Sequence, residues 1–239
     1  MTGSFRDRLY TSYVSQHQGV LESSGRFPTF ERDVIARLPP APSTRILDVG
    51  CGHGDLISLI RRHGWTEVSG IDISQEQVKM AARLGVTGVT CADIYEHAAT
   101  HGHSYDVVLA MDVVEHFDRS EALKLFEALR SMLAPGGCLI LQTPNGASPF
   151  SGQIFWSDVT HGMQYTNRSL RQICAATGFR SVESFPTRPA IHGAASLLRA
   201  GLWRCVESML WLATAAETGN MRDLIFTRNL IAIAKTGTE

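Results

Sequence analysis

The sequence has no excess of basic residues and no cysteine pairs of the kind that bind zinc. It carries 22 Lys and Arg against 23 Asp and Glu, a formal net charge of -1. Proteins that follow the phosphates of a nucleic acid usually carry a basic excess, so we expect no nucleic-acid partner. The five cysteines are odd in number and widely spaced, which predicts reduced thiols rather than a disulfide framework or a thiolate zinc site.

Long apolar runs are also missing. The first ten residues mix Arg6, Asp7 and Arg8 with polar residues, so we expect no secretory signal. No uninterrupted apolar stretch reaches the roughly 18 residues that a membrane span needs, because arginines interrupt the longest candidate. We therefore expect a cytoplasmic protein that does not cross a membrane, although it could lie against the inner face of one.

The order of the predicted elements indicates an α/β fold. After a proline-rich run at 39–42, short β-rich segments alternate with helix-length segments, which predicts a doubly wound, mostly parallel sheet. We expect an N-terminal helical extension or lid over 1–42, in which Tyr10, Tyr13 and His17 fold over the site, and one domain over 43–239. The predicted strands cover 45–49, 68–71, 86–90, 105–110, 138–142, 180–185 and 224–234.

A glycine-rich segment follows the first predicted strand. Gly50, Gly52 and Gly54 allow a sharp turn and a close approach of a ligand to the backbone. Asp72 ends the second strand, where a carboxylate can accept both hydrogen bonds of a ribose diol, and Asp93 follows the third. Ligands of such sheets bind at the carboxyl ends of the strands, so these residues predict a nucleoside site.

The charge around this loop distinguishes between cofactors. The spacing is G-x-G-x-G rather than the dinucleotide pattern G-x-G-x-x-G, and the acidic residues Asp48 and Asp55 lie on either side of it. These carboxylates would repel a phosphate and attract a cationic sulfonium, which favours S-adenosylmethionine. A nicotinamide-dependent oxidoreductase is disfavoured further because the sequence contains no Tyr-x-x-x-Lys.

Together these segments resemble the successive motifs of class I S-adenosylmethionine-dependent methyltransferases. The resemblance runs in order over roughly 45–143 and implies a seven-stranded, Rossmann-like sheet whose last strand is antiparallel. It also implies which residues contact the cofactor. The methionine part would be flanked by Asp48, Gly50, Cys51 and Gly52, and the ribose would be bound by Asp72. The two faces of adenine would contact Ile73 and Ile94, and its amino group would bind Asp93. The pocket would also be lined by Met111.

Two histidines are candidates for the general base. Methyl transfer to a neutral hydroxyl needs a group that removes the proton, and histidine usually does this near neutral pH. His116 follows the fourth strand, whereas His161 lies in the polar loop after the fifth, with Asp158 close enough in sequence to orient its imidazole. We expect His161 to be the base and His116 to be the alternative.

The acceptor is interpreted through two further resemblances. The segment from Pro144 to Phe179 resembles methyltransferases of bacterial surface polysaccharides, which implies a sugar, glycosylated or lipid-linked acceptor. In this interpretation 144–166 is an acceptor loop, Asn145, Asp158 and Gln164 make polar contacts, and Phe155, Trp156 and Tyr165 stack on a sugar face.

The alternative acceptor is a quinone or catechol. Asp112, Glu115 and His116 resemble a pattern of quinone-biosynthesis O-methyltransferases, in which a divalent cation helps to hold the aromatic diol. Such a short segment more often caps a helix or forms ion pairs, so the sequence assigns no metal ligands. An alternative of another class is a non-catalytic module that binds S-adenosylmethionine and a partner.

The region 190–218 reads as a helical insertion before the last strand. Apolar residues recur at steps of three and four from Ile191 to Ala216, which is typical of an amphipathic helix with Gly201 as a candidate break. Arg199 and Arg204 add positive charge beside this stripe. We expect 190–216 to contact an anionic membrane surface, to cover the site or to form a homodimer surface.

Overall fold

Seven strands form a single mixed sheet in a computed structural model that describes residues 27–219 and 223–238. Helices pack on both faces of the sheet. The strands are β1 (Ile46–Val49), β2 (Val68–Asp72), β3 (Val89–Cys91), β4 (Tyr105–Met111), β5 (Leu133–Pro144), β6 (Ser181–Pro186) and β7 (Asn229–Lys235). The helices are α1 (Phe27–Asp33), α2 (Asp55–Arg62), α3 (Gln75–Arg83), α4 (Ile94–Thr100), α5 (Ala122–Ser131), α6 (Ser151–Phe155), α7 (Asn167–Ala176) and α8 (Ala194–Thr218), with 3₁₀ turns at Ile35–Arg37 and Val114–His116.

The strand order is β3-β2-β1-β4-β5-β7-β6, and the predicted doubly wound fold is confirmed. The five strands from β3 to β5 are parallel, whereas β7 runs antiparallel to both β5 and β6. The direction of winding reverses between β1 and β4, and this reversal opens a crevice at the carboxyl ends of the strands. The predicted glycine segment lies at that edge.

Local chemistry fixes the ends of several helices. Ser74 caps α3 by accepting a hydrogen bond from the Gln77 amide, and Thr166 and Ser169 form a reciprocal capping box at the start of α7. Gly178 follows α7 with φ +86°, the left-handed conformation that ends many helices. These caps therefore set the first residues of α3 and α7.

Some predicted boundaries are wrong for tertiary reasons. The last strand begins at Asn229 rather than at 224, because the side chain of Asn145 binds the backbone carbonyls of Ile225 and Thr227. Those carbonyls are then not free to extend the ladder. The fifth strand begins at Leu133, since Leu133 already pairs with Tyr105 before a register shift.

Two apolar clusters cover the faces of the sheet. On one face, Phe30, Val34 and Leu38 pack with the buried side of α2, so the described part of the predicted extension belongs to the core. On the other face the cluster involves α5 and α7. The predicted contacts of Tyr10, Tyr13 and His17 lie outside the described residues, and a lid role for 1–42 stays a prediction.

The predicted helical insertion is one unbroken helix, α8, and the expected break at Gly201 is wrong. A glycine within a helix costs only about 1 kcal/mol relative to alanine, which 25 helical residues can absorb. Among the described residues, no helix combines the length and the apolar character that crossing a bilayer requires.

Candidate active site

A cavity of about 730 Å³ lies at the carboxyl ends of the central strands. This volume falls in the range of pockets that enclose small molecules. All nine residues that were predicted to contact the cofactor line it, as do His116, Asp158 and His161. The structure thus brings the predicted cofactor side and the predicted acceptor side together in one cleft.

The glycine loop is shaped by backbone conformation and by close packing. Gly50 has φ +66°, and a Cβ placed there would lie 2.7 Å from Cγ2 of Val113. Gly54, which precedes α2, has φ +85°, and its Cβ would lie 2.7 Å from Cγ1 of Val86. Both positions combine a conformation that other residues rarely adopt with space that a side chain cannot share. Glycine at these two positions therefore lets the loop pack closely against Val113 and Val86.

Asp72 connects this loop to the start of α3 through hydrogen bonds. Its Oδ2 accepts a hydrogen bond from the Gly52 amide at 2.8 Å, and its Oδ1 accepts one from the Ser74 amide at 2.8 Å. Burial raises the pKa of Asp72, and these two hydrogen bonds oppose the increase. Each carboxylate oxygen can accept a further hydrogen bond, so the side chain remains able to bind a diol.

Asp48 is the most deeply buried carboxyl of the loop region, with 3% of the residue exposed. Burial, and secondly the nearby charge of Asp72, raise the pKa of Asp48 to about 8. The carboxyl is therefore mostly protonated at neutral pH when no cation is bound beside it. A cationic ligand in this cavity would favour its ionised form.

The predicted adenine side is formed by the ends of β2 and β3. Ile73 is 43% exposed and Ile94 is 7% exposed, and both line the cavity together with Met111. Asp93 caps α4, because its Oδ1 accepts hydrogen bonds from the amides of Tyr95 and Glu96 at 2.7 and 3.3 Å. This capping role was not predicted, although an aspartate directly before a helical segment is its usual signal.

His116 is connected to Asp158 through a hydroxyl. Nδ1 of His116 lies 2.8 Å from Oγ1 of Thr160, and that hydroxyl donates to Oδ1 of Asp158 at 2.6 Å. The hydroxyl has a single proton, so His116 must donate from Nδ1 and carry its lone pair on Nε2. Burial and the neighbouring His161 lower the pKa of His116 to about 4, so its imidazole is neutral at pH 7.

His161 lies beside His116, with the ring centroids 4.9 Å apart. Its Nδ1 donates to the backbone carbonyl of Phe155 at 3.0 Å, which leaves the lone pair of the neutral ring on Nε2. The expectation that Asp158 orients His161 needs correction, because the hydrogen bonds of Asp158 to Thr160 lead to His116 instead. Burial opposes ionisation of Asp158, but its bonds to Thr160 and the two imidazoles lower its pKa overall.

Glu115 completes a group that the sequence only partly indicated. It is 1% exposed, and neither carboxylate oxygen makes a well-formed hydrogen bond among the described residues, although the Thr143 side chain lies near enough to oppose the rise of its pKa. Potential ligand atoms of Glu115, His116 and His161 all lie within 4.8 Å of one another. Burial, and secondly the charge of Asp112, raise the pKa of Glu115.

Asp112 lies at the edge of this group rather than within it. It has φ +57°, a conformation that is uncommon outside glycine, and its Oδ1 accepts a hydrogen bond from Nε2 of Gln142 at 2.9 Å. Strained backbone of this kind is often found at functional sites. The sequence grouped Asp112 with Glu115 and His116, whereas the structure adds His161 from a distant loop.

The residues predicted to stack on a sugar do not form such a surface. Tyr165 is fully buried and packs against Phe126, with the ring centroids 6.0 Å apart. Trp156 is 81% exposed and lies outside the cavity lining, as does Phe155. Asn145 is buried and donates hydrogen bonds to backbone carbonyls. Of the three residues predicted to make polar contacts with the acceptor, only Asp158 lines the cavity.

Comparison with known sequences shows which proteins this chain is similar to. The profile of a family described as "Methyltransferase domain" matches residues 25–184. A ubiquinone biosynthesis O-methyltransferase from Xanthomonas campestris is 35% identical over 118 residues, which are 47% of this chain and 48% of that protein. One from Psychrobacter arcticus is 38% identical over 109 residues, 42% of this chain and 41% of that protein. The matches span at most about half the length of these curated relatives.

A solved structure shares the whole fold. The S-adenosylmethionine-dependent methyltransferase from Archaeoglobus fulgidus superposes with a TM-score of 0.70. The superposition covers 94% of this chain and 99% of that chain, at 23% sequence identity. At this identity the likeness bears on the fold alone.

Proposed function

The chain belongs to the methyltransferase-domain family, and from that premise we propose that it methylates a phenolic hydroxyl of a quinone-type or catechol-type small molecule. It is an S-adenosylmethionine-dependent methyltransferase. The sequence favoured a sugar acceptor and kept the quinone as the alternative. The relatives are named ubiquinone biosynthesis O-methyltransferases, and their names support the alternative instead.

The cofactor fits the loop side of the cavity. Gly50 lines the cavity where the methionine part would lie, and the carboxyl of Asp48 offers a counter-charge to its ammonium or sulfonium. In this proposal Asp72 binds the ribose diol while it holds the loop in place. Asp93 offers its second oxygen to the adenine amino group, between Ile73 and Ile94.

The observation that carries the proposal is the pair of adjacent imidazoles in the same cavity. His161 and His116 each use Nδ1 for a hydrogen bond, which leaves Nε2 with a lone pair. We assign the removal of the phenolic proton to Nε2 of His161. The phenolate oxygen then forms a bond to the methyl carbon as the carbon–sulfur bond breaks, and S-adenosylhomocysteine leaves neutral at sulfur.

A divalent cation would also fit this group. The carboxylate of Glu115 makes no well-formed hydrogen bond among the described residues, and one oxygen with two imidazole nitrogens is a suitable donor set. Glu115, His116 and His161 would then hold the ion, which would withdraw charge from the hydroxyl oxygens of a bound diol. In that case His161 is a ligand rather than the base.

Two variants and a chelator separate these roles. With His161 as the base, His161→Gln retains S-adenosylmethionine binding and loses about 10²-fold or more in turnover, and neither a chelator nor Glu115→Gln has a comparable effect. With a resident cation, the chelator and Glu115→Gln both abolish turnover, and added Mg²⁺, Mn²⁺ or Zn²⁺ restores it only in the wild type. Full turnover by His161→Gln, with or without chelator, would contradict both assignments.

The acceptor class is tested with substrates in parallel. Methyl-labelled S-adenosylmethionine is offered with catechol, 3,4-dihydroxybenzoate, resorcinol and a panel of monosaccharides. We expect label in the two catechols. Label in the monosaccharides alone would support the sugar acceptor, and cofactor binding without any transfer would support a non-catalytic module.

A further inference from the structure

The outward face of α8 is an apolar stripe. Leu198, Leu202, Met209 and Leu212 are each between 61% and 66% exposed, and Cys205 and Ala216 are also exposed. Because residues three and four apart share one face of a helix, these six residues form a continuous line along 198–216. We call them the outer stripe.

The opposite face of α8 is attached to the rest of the protein. Trp203 packs near Phe150, with the ring centroids 6.4 Å apart, and Glu207 accepts a hydrogen bond from Nε of Arg188 at 3.1 Å. These contacts fix the rotation of the helix, so the outer stripe faces solvent.

The spacing within the outer stripe favours another helix as its partner. Its members alternate at steps of four and three, a heptad spacing that averages 3.5 residues and is typical of a coiled-coil seam. A lipid surface imposes no such repeat, and helices that lie on it usually carry a broad apolar face bordered by many basic residues. Here Leu197, Gly201, Arg204 and Ser208 border the stripe on one side, and only one of these four residues is basic.

We propose that the outer stripe binds the outer stripe of a second copy of this chain, with the two helices antiparallel around a two-fold axis. A single register then pairs every member of the stripe. Leu198 meets the partner's Ala216, Leu202 meets the partner's Leu212, and Cys205 meets the partner's Met209. The proposal does not depend on which acceptor is methylated.

Two charges beside the stripe favour the antiparallel direction. Arg199 and Glu217 are eighteen residues apart, which is five full helical turns, so they lie on the same flank of the stripe. In an antiparallel pair this flank meets the same flank of the partner in reverse order, which places Arg199 near the partner's Glu217 twice. Within the described ranges, neither side chain has an ion pair of its own.

The area of the outer stripe reaches the lower end of the range for specific dimers. Covering the outer stripe on both copies would remove roughly 1,200 Å² of surface from water, which is near the lower bound for stable interfaces. The interface would be mostly apolar at its centre and charged at its ends, as in most dimers. Covering the stripe would also remove a patch that otherwise promotes aggregation.

The oligomeric state of the full chain tests the proposal first. Sedimentation equilibrium should show a dimer, and Met209→Glu should weaken it at least about 100-fold because it places a carboxylate in the seam. Leu123→Glu is the matched control, since Leu123 is a similarly exposed leucine on α5. It should leave the dimer intact, and both variants should keep the wild-type circular dichroism spectrum and affinity for S-adenosylmethionine. Arg199→Glu should weaken the dimer, and Arg199→Glu with Glu217→Arg should restore it.

Disulfide trapping tests the direction. In the proposed register Cys205 meets the partner's residue 209, so Met209→Cys should cross-link the dimer readily under mild oxidation, and Cys205→Ser should abolish that cross-link. A parallel pair would instead bring Cys205 to the partner's Cys205 and cross-link the wild type.

Three results would overturn the proposal. They are a monomeric wild type at about 100 μM, rapid cross-linking of the wild type through Cys205, and a dimer that Met209→Glu does not weaken. A monomer that floats with phosphatidylglycerol vesicles, and loses that binding in Met209→Glu, would assign the outer stripe to a membrane surface instead. A monomer that does not bind such vesicles would indicate that another segment of the same chain covers the outer stripe.

Discussion

Binding of S-adenosylmethionine should be linked to the ionisation of Asp48. In the ligand-free protein burial raises the pKa of Asp48 to about 8, so the carboxyl is mainly protonated at pH 7. The ammonium and sulfonium of the cofactor favour the ionised form, so binding should lower this pKa and release a proton. The affinity therefore rises with pH up to about 8 and levels off above it.

The magnitude follows from the size of the shift. At pH 7 a group with a pKa near 8 is about 90% protonated, so binding should release about 0.9 proton, and below pH 7 the dissociation constant should change by nearly tenfold per pH unit. Calorimetry between pH 6 and 9, in two buffers of different ionisation enthalpy, measures both quantities.

A control variant is needed because the α-amino group of the ligand also titrates near pH 8. Asp48→Asn keeps the shape of the side chain and removes its titration, so the difference between the two proteins isolates the carboxyl. We expect about one proton fewer released by the variant at pH 7. Equal proton release by wild type and Asp48→Asn would refute the assignment of Asp48 to the cationic part of the cofactor.

Three further substitutions test the construction of the site and its support. Asp72→Ala should weaken S-adenosylmethionine binding by about 1–3 kcal/mol in calorimetry, because hydrogen bonds to a carboxylate are lost, and unchanged affinity would contradict a ribose contact. Gly50→Ala should destabilise the protein by about 1–3 kcal/mol in urea unfolding, since the new methyl meets Val113 at a positive φ, and a neutral effect would show that the loop relaxes at little cost. Asn145→Ala should lower the free energy of unfolding by about 1–3 kcal/mol, because it leaves buried carbonyls unpaired, and a loss below 0.5 kcal/mol would indicate that water replaces the amide.

The sequence was sufficient to bring the residues of the predicted cofactor side to one cavity, because the information that places them is local. β1 is buried at every residue and is apolar except at Asp48, and the turn after it needs glycines for steric reasons. Asp72 and Asp93 were found by position, since parallel strands bring their carboxyl ends to one edge. The hydrogen bonds that each carboxylate makes within the protein were harder to predict. The cap that Asp93 forms on α4 is an example.

The acceptor side depends on contacts that are distant in sequence. His161 and Glu115 are far apart along the chain and meet because the backbone amides of Gly162 and Met163 bind the carbonyl of Glu115. No periodicity signals such a contact. For the same reason Asp158 was paired with the nearer histidine in sequence, whereas its hydrogen bonds through Thr160 reach His116.

Burial was also difficult to predict from the sequence. Tyr165 reads as an aromatic residue in a polar loop, and the structure buries it completely beneath the sheet edge. The stripe along α8 was expected to meet a membrane surface, the site or a second copy, and its largest members face solvent. Amphipathic spacing indicates that one face of a helix needs an apolar partner. Only the packing of the whole chain shows whether that partner belongs to the same chain.

The most direct test of the account is transfer of a labelled methyl group to catechol by the wild-type protein and by His161→Gln, with S-adenosylhomocysteine measured in the same reactions. We predict one labelled methyl ether for each S-adenosylhomocysteine formed, and a rate at least about 10²-fold lower in the variant despite normal cofactor binding. Catechol that stays unlabelled while the wild-type protein is saturated with S-adenosylmethionine would contradict the account.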